Sequence, residues 1–282
     1  MKPLEILQRT PKTNCGECGH PTCLAFAAAV ARAGAEIALC PYIDRQGLEN
    51  SRASGVKDME NLATQVAEEH DLILVQHLQE KVKPLDFGAI ASALGAGWNK
   101  DNPDALYLRY LGQNVMLEKT KVLMNNDTVV DPRDQILLYN YVYSCGGRKP
   151  DNTWIGMESL PNSISKVKTL STYCEEKIAG HLSGKPSDII AEIGKKLDGY
   201  EGPADLSSSA TSSLVVPVLP MVPQYLLFWE EEPEDGFEAK AKVLFDHHVL
   251  DFLDLESLVF SAERFAERLV LLIDNYNQHL RS

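Results

Sequence analysis

Four of the six cysteines fall within the first forty residues, and no other feature constrains this chain as much. They stand in Thr13-Asn14-Cys15-Gly16-Glu17-Cys18-Gly19-His20-Pro21-Thr22-Cys23 and in Cys40-Pro41, a spacing of Cys-x2-Cys-x4-Cys-x16-Cys-Pro. Four thiolates brought to one point hold either a tetrahedral zinc ion or an iron–sulfur cluster. The local chemistry favours a 4Fe–4S cluster. Gly16 and Gly19 flank Cys18 and allow the backbone to close tightly around an inorganic core. Pro21 suits the first position of a helix, which places Thr22 and Cys23 in its opening turn. The N–H groups of that turn are then expected to face the negatively charged cluster. The following run, Leu24 to Ala33, is small and apolar, with Gly34 as its stop, and can keep water from the sulfurs. A Cys-Pro pair closing a cysteine run is an iron–sulfur habit. Zinc sites usually show two separated Cys-x2-Cys knuckles, and here there is one. Zinc and a redox or disulfide set stay as the alternatives.

The segment resembles the four-cysteine iron–sulfur domain found at the N-terminus of the large subunit of corrinoid iron–sulfur proteins and in the B subunit of Rnf electron-transport complexes. The matching residues are Pro11 to Gly19, Pro21 to Ala27, and Cys40-Pro41. The resemblance implies that Cys15, Cys18, Cys23 and Cys40 ligate one cluster. It covers roughly residues 8 to 45. No corrinoid-holding barrel and no further ferredoxin-type cysteine run follows. From about residue 70 to 272 the chain also resembles an uncharacterised bacterial and archaeal domain family found behind this motif. Leu137 to Val142, Leu219 to Pro223 with Phe228-Trp229, and Val243 to Asp246 carry that likeness.

At 282 residues the chain has room for a small module and one larger domain. We expect an iron–sulfur domain over 1–45 and a mixed domain over 57–282, joined by a polar connection from Asp44 to Gly55. The formal net charge of −13 argues against nucleic acid as a partner, since a phosphate-tracking surface needs clustered Lys and Arg. The acidity lies almost wholly beyond Gly55, which keeps the chain soluble or steers a docking partner. No apolar stretch approaches the ~20 residues that span a bilayer, and no signal-peptide core opens the chain. Clustered thiolates suit a reducing cytoplasm, and an anaerobic one best.

Along the chain, Pro3 to Thr10 reads as a short helix leading to the cysteine loop. Lys57 to Val82 is helical, with Leu62, Val66, Leu72, Ile73, Val75 and Leu78 as its apolar stripe. His70 and His77 lie there as surface residues. Asp86 caps a short helix. Ala105–Leu111 and Val115–Glu118 form a hairpin, followed by a second around Asn125-Asn126-Asp127. Asp131-Pro132 opens a helix ending near Cys145 and stopped by Gly146-Gly147. Its Tyr139 and Tyr143 share a face that reads as core. Trp154–Pro161 is extended. Helices follow over 165–182, carrying Cys174, and 186–197, capped by Ser187-Asp188. Ser207–Ser213 reads as a loop. Gln224–Trp229 and Ala239–Asp246 form a hairpin around the acidic turn Glu230–Gly236, which is solvated rather than a cation site because it lacks an EF-hand's alternation. A long amphipathic helix with Leu258, Phe260, Phe265, Leu269, Leu272 and Ile273 closes the chain. His247 and His248 sit beside Asp246 without a third ligand in view. The expected class is α+β: a small, mostly helical module, then a larger domain with antiparallel hairpins and several helices.

An all-cysteine cluster leaves no iron site open to substrate. The expected function is therefore single-electron transfer with a redox protein partner, to or from a site in or docked on the larger domain. A corrinoid-binding protein of methyl transfer or cobalt reactivation is the alternative, with a corrinoid or a corrinoid protein as partner. Neither His20-Pro21 nor His247-His248 supplies the Asp-x-His-x-x-Gly lower-ligand signature. A purely structural cluster is the third reading. No Ser/His/Asp triad, P-loop or Gly-x-Gly-x-x-Gly entry is present, so no catalytic residue is assigned and a carrier is favoured over a stand-alone enzyme.

Overall fold

The computed structural model describes residues 3–33, 35–43, 71–129, 131–185 and 188–281. The chain divides into two compact units, Met1–His70 and Asp71–Ser282. The polar connection expected from Asp44 to Gly55, the helical pattern through His70, the stop at Gly34 and the cap at Ser187 lie outside the described residues.

Among the described residues, the first unit has a pair of helices and a one-turn 3-10 helix. Helix α1 is Pro3–Gln8, α2 is Cys23–Ala33, and the 3-10 turn is Ile37–Leu39. A small core of Ile6, Phe26, Ala27, Cys40 and Ile43 holds them together. Among the described residues this core is small, and small cores usually need a metal or other staple.

The second unit is α+β, as the alternation of patterns predicts. Residues 71–82 form α3, and Asp86 caps α4 (Phe87–Ile90) by accepting from the N–H groups of Gly88 and Ala89. Five strands then run as an antiparallel meander: β1 Gly97–Asn99, β2 Asn102–Tyr110, β3 Gln113–Glu118, β4 Val122–Met124 and β5 Asp127–Thr128. Helix α5 (Pro132–Tyr143) begins as expected, with the Asp131 carboxylate on the Arg133 N–H and Pro132 in the first turn. Strand β6 (Trp154–Gly156) leads to α6 (Ile164–Leu170), α7 (Glu176–Leu182), α8 (Asp188–Lys196) and α9 (Ala204–Ser207). The second sheet adds β7 Ser212–Leu219, β8 Val222–Trp229 and β9 Lys240–Asp246, in antiparallel order β6-β9-β8-β7. Helix α10, Leu255–Arg281, ends the chain.

Strand β8 explains how this sheet is covered. Its Val222, Leu226 and Phe228 join the main core, while Tyr225 and Leu227 join a second cluster with Val215. Alternate residues of a strand point to opposite faces, so a strand buried throughout must be covered on both. On α10 the buried residues Leu258, Ala262, Phe265, Leu269 and Ile273 recur at intervals of three and four, which is one helix face.

Several expectations are corrected. On α3 the buried residues are Val75, Leu78 and Val82, whereas Leu72 and Ile73 are exposed. Tyr139 is buried with Tyr141, and Tyr143 is exposed; near the helix end the face drifts out of the core. The single helix expected over 165–182 is broken in register by a π-helical turn, Ser171–Glu175. That turn points Glu175 at β9, where it accepts the Val243 N–H just beyond the end of the β6 pairing. Part of the expected Ser-rich loop is helix α9 and part is the start of β7. Two prolines disguise β7 and β8: Pro217 and Pro223 face each other across the ladder, beside a register shift.

Candidate metal centre

The cysteine loop is the stretch between α1 and α2. Its backbone turns repeatedly through the left-handed region, at Lys12, Asn14, Gly16 (φ 77°) and Gly19 (φ 81°). A side chain at either glycine would be strained there, which is why the sequence has glycine on both sides of Cys18. The Gly19 N–H donates to the Gly16 carbonyl at 2.9 Å and closes a turn around Glu17-Cys18. The Asn14 side chain then fastens the loop to α2 by accepting the Cys23 N–H at 2.8 Å. Thr22 is the N-cap of α2, with its hydroxyl accepting the Ala25 N–H at 3.0 Å.

These bonds correct one expectation: Pro21 precedes the cap instead of occupying the first helical position. The N–H groups of Gly19, Cys23 and Ala25 are taken up by acceptors of the loop and cap.

The four thiols differ in exposure. Cys15 is exposed, Cys18 is half-buried, and Cys23 and Cys40 are buried. Cys40 follows the 3-10 turn and lies in the small core with Ile6, Phe26 and Ala27, and Cys18 packs against the same cluster. Tyr42 draws two further residues to this place. Its hydroxyl donates to Glu17 Oε1 at 3.2 Å. That hydrogen bond and the Glu17 charge hold the phenol's pKa above its ordinary value, and Cys15 and Cys40 add to the same effect. Asn14, Glu17 and Tyr42 were not predicted for these roles. An Asn in the residue before a loop cysteine was the one visible signal.

In its donor chemistry the cysteine loop suits an iron–sulfur cluster, although no three of its sulfurs stand within 4.8 Å of one another. The donor set is four free thiols, two of them lodged on the apolar core and one at the surface. The loop that carries Cys15 and Cys18 is curved by left-handed residues at Asn14, Gly16 and Gly19.

The remaining cysteines lie elsewhere. Cys174 sits in the π-helical turn and is fully buried, and burial pushes its thiol well above the ordinary range, which keeps it protonated and inert. Cys145 is half-buried and takes a left-handed conformation (φ 60°) as the residue that ends α5, one position before the glycine expected to do so. His77 is exposed, as read from the sequence, and His70 lies outside the described residues. The acidic turn is exposed and closed by a backbone bridge between Glu232 and Phe237. Among the described residues, no helix is long and apolar enough to cross a membrane.

Two family models match the sequence. Residues 11–42 match one described as "Putative Fe-S cluster", and residues 86–268 match "Domain of unknown function (DUF3786)". Among curated proteins, the "Corrinoid/iron-sulfur protein large subunit" of Moorella thermoacetica is 49% identical over 53 residues, 18% of this chain and 12% of that protein. The "Acetyl-CoA decarbonylase/synthase complex subunit gamma 1" of Methanosarcina thermophila is 49% identical over 44 residues, 16% of this chain and 9% of that protein. The chain thus spans only about a tenth of the length of these relatives. No solved structure matches significantly. The iron–sulfur likeness read from the cysteine spacing and the uncharacterised family read from the larger domain both stand.

Proposed function

Because the chain belongs to the DUF3786 family over residues 86–268 and carries an iron–sulfur segment ahead of it, we propose that it is an electron-transfer protein. Its cofactor is one 4Fe–4S cluster held by Cys15, Cys18, Cys23 and Cys40. The observation that carries this reading is the match of the whole cysteine loop, residues 11–42, to the iron–sulfur family model. When bound, the cluster supplies one-electron redox chemistry and, with four thiolates, no open iron site for substrate.

The chain's own residues set the conditions. The core of Ile6, Phe26 and Ala27 shields Cys40 from water, while exposed Cys15 gives the site an edge at the surface. Solvent exposure and hydrogen bonds to sulfur are the protein's two levers over the potential. Glu17 keeps a negative charge beside the loop, and a nearby anion disfavours adding an electron. The expected midpoint is therefore low. The partner is a redox protein, to which the acidic surface of the larger domain offers an electrostatic approach. The relatives are named as subunits, which supports a protein partner. Six free cysteines suit a reducing, cytoplasmic and anaerobic setting.

Protein-film voltammetry of the anaerobically reconstituted chain tests the proposal. A reversible one-electron couple well below 0 mV supports it. A cluster that accepts no electron at any accessible potential contradicts it and leaves a structural staple. The second reading, a corrinoid-binding protein, is favoured by the word "Corrinoid" in the name of the first relative. A corrinoid absorption band retained after desalting with added cobalamin would move the assignment to it.

A further inference from the structure

The ends of β6 and β9 bring together three side chains that neither family match nor relative assigns. One ligand atom each of Asp151, His247 and His248 lies within 4.8 Å of the other two, and among the described residues this is the group of three that is arranged so. Consecutive residues in a strand point to opposite faces. Here β9 has ended at Asp246, His248 has turned (φ −91°, ψ 2°), and the two imidazoles lie on the same side with ring centroids 3.7 Å apart.

The residue next to them is not the ligand that adjacency suggests. Asp246 is fully buried, and its carboxylate is used by the backbone: Oδ2 accepts from the Asp151 and Asn152 N–H groups at 2.9 and 2.8 Å, and Oδ1 accepts from the His248 N–H at 2.9 Å. The His247 N–H donates to the Thr153 carbonyl at 3.0 Å. These four bonds tie the 151–153 loop to the 246–248 turn and fix where Asp151 meets the imidazoles. Asp151 is aimed in turn by accepting the Thr153 N–H on Oδ1 at 2.9 Å.

One feature is energetically out of place without a ligand. The Nδ1 atoms of His247 and His248 are both buried and have no hydrogen-bond partner. A buried polar atom left without a hydrogen bond is destabilising. His247 Nδ1 stands 3.3 Å from Asp151 Oδ1 yet does not hydrogen-bond to it, and His248 Nε2 stands 4.0 Å from Asp151 Oδ2. Two ligands about 2.0–2.1 Å from one ion at the tetrahedral angle stand about 3.4 Å apart.

We propose that Asp151, His247 and His248 form a binding site for a divalent first-row transition ion, zinc or iron(II). Two imidazoles and one carboxylate suit these ions, whereas calcium and magnesium take oxygen sets. Three protein ligands leave at least one coordination position to water or a small ligand, and the half-exposed side of Asp151 provides access to it. Asp246 is a positioning residue: it holds both ligand-bearing loops and touches no ion.

The test is zinc binding to the full chain with its cluster reconstituted anaerobically. Zinc content after chelator competition and zinc-edge X-ray absorption are read for wild type, Asp151→Asn and His248→Gln. Asp151→Asn keeps an oxygen for the Thr153 N–H, so it preserves the turn. The expected result is one tightly held zinc in wild type with nitrogen and oxygen scatterers only. Loss of residues that merely orient ligands costs about 10–100-fold in affinity, so each ligand variant is expected to lose at least about a hundredfold. Equal zinc retention in wild type and in both variants would overturn the site. So would a sulfur shell near 2.3 Å, which places the ion in the thiols. If one variant does not fold, as judged by its thermal transition, the other decides the outcome.

Discussion

At the scale of single residues, the chemistry separates the cysteines into two kinds. Cys23 and Cys40 are buried, Cys40 within the small core, and Cys174 is buried far along the chain in a π-helical turn. Only the first two belong to the loop that matches iron–sulfur domains. Cys23→Ser and Cys40→Ser are therefore predicted to lose or convert the cluster, while Cys145→Ser and Cys174→Ser keep full iron and sulfide. Iron and sulfide counts after identical reconstitution check this. A second prediction concerns Asp251. The Arg148 guanidinium donates to it at 2.7 and 2.9 Å and the Arg148 N–H at 3.0 Å, which holds its carboxyl well below the usual range. A carboxyl whose folded value is depressed stabilises the fold above its unfolded value of about 3.9, and that contribution fades as pH falls below it. Asp251→Asn is thus less stable than wild type at pH 7, and the difference shrinks on acidification below about pH 4. Urea unfolding at several pH values reads the difference; a constant gap would contradict the assignment.

At the scale of elements, local signals were the legible ones. Asp86 and Asp131 announce α4 and α5 because a cap acts within three residues of itself. The hairpins of β2–β3 and β8–β9 were legible for the same reason. Strand β7 was not, because its prolines hide the pattern and its partner supplies the ladder. What the elements do to one another was invisible as well. Asp134 on α5 accepts both Arg264 Nε at 2.8 Å and Arg264 Nη2 at 2.7 Å from α10, and the Tyr110 hydroxyl of β2 at 2.7 Å. This buried knot joins two helices and a strand, and burial with the Asp134 charge holds the Tyr110 phenol protonated. Asp134→Ala removes the carboxylate that Arg264 bonds twice and the acceptor of the Tyr110 hydroxyl, while Glu267 and Asp131 still pair with the guanidinium, so a loss of about 1–3 kcal/mol is expected. Denaturant unfolding measures it. The Asp134→Ala/Arg264→Met double variant is predicted to lose less than the sum of the two single variants, since both act on the same Asp134–Arg264 contact.

At the scale of the whole molecule, the two units have separate cores. The cluster of Ile6, Phe26, Ala27, Cys40 and Ile43 shares no residue with the two clusters of the larger unit. Among the described residues the first is small, the kind of core that usually needs a staple, whereas the second has a full complement of buried Leu, Ile, Val and Phe. Removing iron is therefore predicted to unfold the first unit and leave the calorimetric transition of the second unchanged. The cysteine loop was readable because its donors lie close in sequence and their spacing is itself the signal. The Asp151–His247–His248 group was not, because Asp151 and His247 are 96 positions apart and only the β6–β9 pairing brings them together. Apolar periodicity can predict that pairing's strands but not which loops their ends will join.

Iron and acid-labile sulfide counting with EPR of the dithionite-reduced protein tests the central claim most directly. The account predicts about four iron and four sulfide per chain and a single reduced cubane signal that vanishes in Cys40→Ser. A chain that holds one zinc on its four thiols, or iron without sulfide, would contradict it.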